Sequence, residues 1–250
     1  MLGIIGALDE EIALLVAVLR RRSTRTYAGI SFYRGVLAGQ HVVICSSGVG
    51  KVNAAMATQI LIDIYKVRRI VFTGTAGSLR TNLNIGDVVI STVTQQYDVN
   101  FAAIGFPRGV IPFLKTSIFA ADPTLIRAAK KGAKSIVLKG KVISGKILSG
   151  DRFVANKALA RDLRDKFRGS CVEAEGAATG QVCFRNRVPY IVIRGMSDRA
   201  GRRASKSFDR FSKLASRRAQ RVVLAMLRQL RTVRPSSSSP SSSRRYSLSR

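Results

Sequence analysis

The sequence predicts an α/β fold: a single domain of three layers, αβα, with helices on both faces of a central, mixed and twisted sheet. Three observations predict it. Short β-branched runs alternate with segments of helical period. Glycine-rich and small-residue turns follow several of those runs, at the strand ends where such sheets bind ligands. The composition, 46% hydrophobic and 23% charged over 250 residues, is that of a chain able to bury a large core.

The elements follow in order. LGIIGA (2–7) reads as a short buried strand bounded by glycines. Residues 9–22 read as a helix with Asp9, Glu10 and Glu11 in its first turn, where the helix dipole favours anions. GISFYRGVLA (28–37) and QHVVICS (40–46) read as paired strands turning at Gly39. SSGVGK (46–51) is a Gly-rich turn opening a helix, 51–65, with Val52, Ala55, Met56, Ile60 and Ile64 on one side. RIVFTG (69–74) is a buried strand leading into a small-residue turn, TGTAGS (73–78). DVVISTVTQQYD (87–98) reads as one long strand, and 99–115 as an irregular loop with two prolines. A helix (123–133), short strands near 135–138 and 141–149, and a helix at 156–167 come next. CVEAEGAATGQVCFRN (171–186) enters a helix of small residues, and PYIVIRGMSD (189–198) is a last buried strand. The final helix, roughly 208–231, turns Phe208, Phe211, Leu214, Ala215, Val222, Val223, Met226, Leu227 and Leu230 inward. The expected domain is 1–232, followed by a disordered Ser/Arg-rich tail over 233–250.

Charge and cysteine content narrow the function classes. There are 43 Lys and Arg against 14 Asp and Glu, a formal net charge of +29. Such a chain attracts polyanions nonspecifically at low salt. Many of the cations lie beyond residue 199, including Arg202, Arg203, Arg210, Arg217, Arg221, Arg231 and Arg234. No RNP-like aromatic pattern, zinc finger or KH loop accompanies them. Cys45, Cys171 and Cys183 are too few and too scattered for a disulfide framework or a CxxC zinc site. The start, MLGIIGALDEE, has neither a basic leader nor the h-region of a signal peptide, and no apolar run reaches the ~18 residues of a membrane span. The expected setting is cytoplasmic, with no membrane contact, no cofactor and no metal.

GVGK (48–51) invites two nucleotide motifs, and both fail. A Walker A loop needs glycine where Cys45 stands and Ser or Thr at Val52; a dinucleotide fingerprint needs glycine at Asn53. The turn therefore reads as structural or as a site for an anion or hydroxyl. Acids are scarce, and the only four glutamates form two pairs, Glu10–Glu11 and Glu173–Glu175. Either pair reads as helix N-terminal charge or as chemistry. The small residues after Glu175 leave room for a ligand. Asp198 ends an apolar strand, so its carboxylate has to be solvated, hydrogen-bonded or ligand-bound. His41, the only histidine, lies within a strand pattern and reads as structural, which excludes a Ser-His-Asp triad through it.

In order, GIIGALDEEIALL, SGVGKVNAAMAT, FTGTAGSL, NIGDVVIST, SGDRFV, VEAEGAA and VPYIVIRGMSD resemble the 5′-methylthioadenosine/S-adenosylhomocysteine nucleosidases, within the nucleoside phosphorylase superfamily. The resemblance covers about 1–232. GALDEE stands where phosphorylases place an arginine-bearing phosphate loop, which favours the hydrolase branch. It implies a nucleoside phosphorylase-like fold and hydrolysis of the adenine–ribose bond through an oxocarbenium-like transition state, in methionine salvage and methyl-cycle recycling. It also implies roles. Glu11 matches the base that deprotonates the attacking water, and Asp198 the acid that protonates adenine N7. Glu175 matches the carboxylate that grips the ribose hydroxyls. Phe153 and Val154 match the adenine contacts, Ser197 the hydroxyl beside the acid, and Phe208 an aromatic near the 5′ end. Ala7, Thr75, Ala76 and Gly77 match small pocket-lining positions.

The chain departs from the pattern at Leu8 and Ala174, where methionines are usual, and in the loop 99–113, which is about two residues longer. In the family this loop reaches into the neighbouring subunit's pocket, so a homodimer is implied. Phe106, Ile111 and Phe113 are then the candidates for an apolar wall around the 5′ group. The altered positions also allow a relative that acts on another 5′-modified adenosine, such as 6-amino-6-deoxyfutalosine. A catalytically idle, polyanion-binding relative is a further reading. Arg199 beside Asp198 is unusual; strand alternation predicts that it points away.

Overall fold

A computed structural model describes residues 1–137, 139–201 and 204–232, with side chains through Leu230. The expected tail, 233–250, and Arg202, Arg203 and Arg234 lie outside the described residues. The strands are β1 (Leu2–Gly6), β2 (Arg20–Tyr27), β3 (Ile30–Leu37), β4 (Gln40–Ser46), β5 (Ile70–Ser78), β6 (Val88–Gln96), β7 (Ile118–Ala120), β8 (Val142–Ser149), β9 (Cys171–Glu173) and β10 (Tyr190–Asp198). The α-helices are α1 (Ala13–Ala17), α2 (Lys51–Asp63), α3 (Pro123–Lys134), α4 (Lys157–Asp165), α5 (Gly176–Asn186) and α6 (Ala204–Thr232).

The expected α/β architecture forms around one mixed sheet, ordered β10-β6-β8-β9-β5-β1-β4-β3-β2, with β7 beside β6. β1 pairs in parallel with β4 and β5, and β5 with β10. Because β10 pairs with both β5 and β6, strands β5, β10, β6, β8 and β9 close a ring at one end of the sheet. The strand runs are continuous in apolar residues because both faces are covered. One face packs Ile5, Val43, Phe72 and Val192 against Ala54, Ala57 and Leu61 of α2 and Ala178 and Cys183 of α5. The other packs Ile4, Val71, Ile90 and Ile193 against α1, α3 and the apolar stripe of α6.

Several expectations are corrected. The helix expected over 9–22 is only a 3₁₀ turn, Asp9–Glu11, and the short α1. Its remainder, with RRRSTRTY, is the exposed edge strand β2, paired antiparallel with β3. Apolar periodicity stops at Leu19, and a row of arginines serves an edge better than a core-facing helix. The turn expected at TGTAGS is the second half of β5, buried throughout. Its small residues are there for close approach of other groups. No strand forms over 135–137. β7 and β9, three residues each, carry too short a pattern to read from sequence. On α2 the buried positions are Ala54, Ala57, Thr58 and Leu61, while Val52 and Ile64 face outward. Leu214 of α6 is also exposed. Cys45, Cys171 and Cys183 are free and buried, and burial pushes each thiol up in pKa.

Candidate active site

Strands β1, β5 and β10 run parallel, so their carboxyl ends lie side by side. Each delivers polar groups there. After β1 the chain turns through Ala7 and Leu8, and the 3₁₀ turn brings Glu11 back under the strand end. The Glu11 carboxylate is 3% exposed. One oxygen accepts from the Ala7 N–H at 2.8 Å and the Leu8 N–H at 3.3 Å. The other accepts from the Thr75 N–H at 2.7 Å and the Thr75 hydroxyl at 3.1 Å. Four donors, two from the turn after β1 and two from Thr75 of β5, fix it.

β10 supplies two groups. Asp198 is buried; it accepts from the Ser197 hydroxyl at 2.9 Å and the Ala200 N–H at 2.8 Å. Burial raises its pKa, outweighing the two hydrogen bonds that favour the anion. Arg199 turns out to solvent, as expected, and donates to the Asn84 side chain; it does so just past the end of β10, where strand alternation no longer applies. Gly77 of β5 makes room for the acid, since a Cβ there would stand 2.7 Å from Asp198 Oδ1.

Arg194 is the functional residue that the sequence reading passed over. Its side chain is 1% exposed, and it lies over the Phe72 ring, 4.7 Å from the centroid. It donates to Glu175 at 2.9 Å and to Glu173, and stands 3.8 Å from Glu11 Oε1. The signal was present: a lone arginine in an otherwise apolar strand has to meet buried carboxylates. Gly74 opens the space for this group; a Cβ there would lie 2.1 Å from Arg194 Nη1 and 2.6 Å from Glu11 Oε1.

The two carboxylates of the VEAE segment share Arg194 and differ in their other partners. Glu173 accepts from the Ser149 hydroxyl and from the N–H groups of Glu175 and Gly176, closing the start of α5 while also lining the cavity. Glu175 faces the cavity, where it accepts from Arg194 and from the Gly50 N–H at 3.0 Å. The Gly-rich turn at 48–51 therefore does hold an anion, and that anion is the chain's own Glu175. Burial, with Glu173 and Glu11 nearby, pushes the Glu175 pKa up to about 7 against the opposing pull of Arg194.

These groups line a cavity of about 770 Å³. All twelve residues singled out from the sequence lie on it: Ala7, Glu11, Thr75, Ala76, Gly77, Phe153, Val154, Ala174, Glu175, Ser197, Asp198 and Phe208. Phe153 and Phe208 meet edge to face, 5.9 Å between centroids. Leu8, Val49, Arg152 and Asp209 also line it. No residue of loop 99–113 does, and exposed His41 on β4 lies away from it.

The sequence pattern of the Phosphorylase superfamily matches residues 1–228. A 5′-methylthioadenosine/S-adenosylhomocysteine nucleosidase of Bacillus cereus strain G9842 is 38% identical over 235 residues, 92% of this chain and 99% of that one. The chain belongs to the 5′-methylthioadenosine/S-adenosylhomocysteine nucleosidase family of the phosphorylase superfamily. The family likeness extends to the fold. The Neisseria meningitidis nucleosidase, solved in complex with methylthio-immucillin-A, superposes with a TM-score of 0.87 at 38% identity, covering 91% of this chain and 98% of that one. The futalosine hydrolase of Helicobacter pylori superposes with a TM-score of 0.85 at 31% identity, covering 90% and 96%.

Proposed function

We propose that the chain hydrolyses the N-glycosidic bond of 5′-methylthioadenosine and S-adenosylhomocysteine, releasing adenine. The observation that carries this reading is the spacing of acid and base along β5. Glu11 is anchored at Thr75 and Asp198 lies against Gly77. Two residues of strand separate these points by roughly 7 Å on one pleat face. That leaves room for a nucleoside whose base meets one carboxyl and whose anomeric carbon meets a water held by the other.

In this scheme Asp198, favoured in its protonated form by burial, gives its proton to adenine N7 while Ser197 holds the carboxyl in place. The departing base then leaves neutral. Glu11 takes the proton of the attacking water, which displaces its weakest donor, the Leu8 N–H at 3.3 Å or the Thr75 hydroxyl at 3.1 Å. Glu175 accepts from the ribose hydroxyls. Arg194 is a positioning residue: it holds Glu11 and Glu175 together and offsets their repulsion. Phe153 packs on adenine, Val154 meets its edge, and Phe208 closes the ribose end. Ala7, Ala76 and Ala174 keep the walls thin. General acid and base steps of this kind contribute about 10²–10⁴-fold each.

Incubation with methylthioadenosine, with and without phosphate, tests the reading by free adenine. Release independent of phosphate is expected; a requirement for phosphate would make the chain a phosphorylase. Glu11→Gln is expected to bind the nucleoside and release no adenine, because an amide cannot take up the water's proton. Wild-type-like turnover by that variant would overturn the role of Glu11. Ala174 on the cavity wall also favours a second reading, a bulkier 5′ group, which a parallel assay with 6-amino-6-deoxyfutalosine addresses.

A further inference from the structure

The outer face formed by α3 and α6 is a concentration of unpaired positive charge. α3 exposes Arg127, Lys130, Lys131 and Lys134, and carries no acid. α6 exposes Arg210, Lys213, Arg217, Arg221 and Arg228 at steps of three, four, four and seven residues, which keeps them on one side of the helix. The two helices join closely where Gly132 faces the Ala225 carbonyl carbon and the Met226 nitrogen; an added Cβ would stand 2.6 Å from either. Their outer stripes are therefore neighbours. Arg221 reaches across to the Val137 carbonyl, 3.0 Å, and Lys139 and Lys141 lie just beyond.

Carboxylates are missing from this face in a specific way. Asp209 is the only acid in either helix, and it lines the cavity. Asp122 is engaged as the cap of α3, and buried Asp87 accepts from the backbone of Asn84 and Lys141. Asp9 and Glu10 adjoin α6 where Ser216 and Gln220 bond the Glu10 carbonyl. Among the described residues, no cation of α3 or α6 forms an ion pair.

We propose that the α3–α6 face binds the phosphate backbone of double-stranded nucleic acid, without reading its sequence. The α6 stripe from Arg210 to Arg228 runs about 27 Å at 1.5 Å per residue. A duplex presents a charge about every 1.7 Å along its axis, so the stripe is met by phosphates over its whole length. The face has no exposed aromatic side chain for stacking on unpaired bases, which favours a duplex over a single strand. A membrane is a poorer match, because the apolar side of α6 is already spent in the core and cannot enter a bilayer.

The experiment uses the full chain and a labelled mixed-sequence DNA duplex, followed by fluorescence anisotropy over a salt series. One variant neutralises the face: Lys130→Gln, Lys134→Gln, Arg217→Gln and Arg228→Gln. A charge-matched variant neutralises four exposed cations elsewhere: Arg25→Gln, Arg34→Gln, Lys66→Gln and Arg68→Gln. Thermal unfolding checks that both are folded. Each phosphate contact adds about 0.9 to the slope of log K against log salt, so the face variant should lose up to about 3.6 of slope and about tenfold or more in affinity. The charge-matched variant should lose little. Equal losses in the two variants would overturn the proposal in favour of diffuse net charge. No loss in either would likewise overturn it, since the duplex would then be bound without this face. Sedimentation with phosphatidylserine vesicles, without duplex binding, would overturn it in favour of a membrane. None of these outcomes depends on nucleosidase activity.

Discussion

Asp198 is a carboxylate kept where water is scarce, and its environment is tuned by what stays away as much as by what touches it. Burial lifts its pKa, and the Ser197 hydroxyl and Ala200 N–H hold it back. The neighbouring Arg199 guanidinium is spent on Asn84 in solvent. Asp198→Asn is therefore expected to remove nearly all adenine release, and Arg199→Ala to leave it within several-fold of wild type. A hundredfold gain from Arg199→Ala would mean that the cation suppresses the acid. Glu175 makes a different prediction. Its carboxyl ordinarily titrates at 4.5 and is raised to about 7 in the fold. The folded state thus binds its proton more tightly than the unfolded state does. The stability it contributes is complete below about pH 4.5 and is lost as pH rises through about 7. Glu175→Gln has no such titration, so its curve of Tm against pH should be flatter than wild type across that window. Parallel curves would show that Glu175 is not the group responsible.

At the scale of elements, β5 is the member that organises the site, and it does so by lacking side chains. Gly74 sits against the Glu11–Arg194 pair and Gly77 against Asp198. Gly74→Ala would push a methyl into two buried groups of opposite charge that have nowhere to go. Overpacking of this kind costs roughly 1–3 kcal/mol. A lower denaturation midpoint together with loss of adenine release is expected; an unaltered midpoint would mean that the pair moves freely. The loop after β6 raises a question of assembly. Phe101, Ile104 and Phe113 are exposed, Phe113 at 95%, and Val49 and Val52 at the start of α2 are exposed with them. Ile111 instead packs on the core, and Phe106 meets Phe113 edge to face at 5.6 Å. Apolar surface of this kind marks interfaces. We propose a homodimer through this region, with the loop of one copy completing the other's cavity near the 5′ group. Light scattering at micromolar protein and moderate salt should report twice the chain mass. A monomer there would count against the assembly.

For the whole molecule, the sequence alone determined the class and layering of the fold and the order of most elements, and the motifs it shares with the nucleosidase family marked twelve of the residues that line the cavity. The fold class and the element order reside in local patterns. β-branched runs mark covered strands, small residues mark close approach, and fourteen acids in a chain of +29 leave few positions for carboxylate chemistry. The tertiary structure alone decided how the charges are shared. Glu173 and Glu175 are two residues apart, alike in sequence and both on the cavity wall, yet only the first closes the start of α5, because β8 brings Ser149 to the first and the 48–51 turn brings Gly50 to the second. Arg194 acquired its role only when β10 was set beside β5, within reach of three glutamates from distant segments. The arginines at 20–22 went to an edge strand because β3 offered an unpaired row of backbone groups, which outweighed a short apolar period for helix. The apolar side of α2 likewise could not be read from periodicity, since either stripe satisfies a helix. Hydrogen bonds and ion pairs between remote segments, and the choice of which apolar face meets the sheet, depend on what the fold brings near, and no window of sequence contains that information.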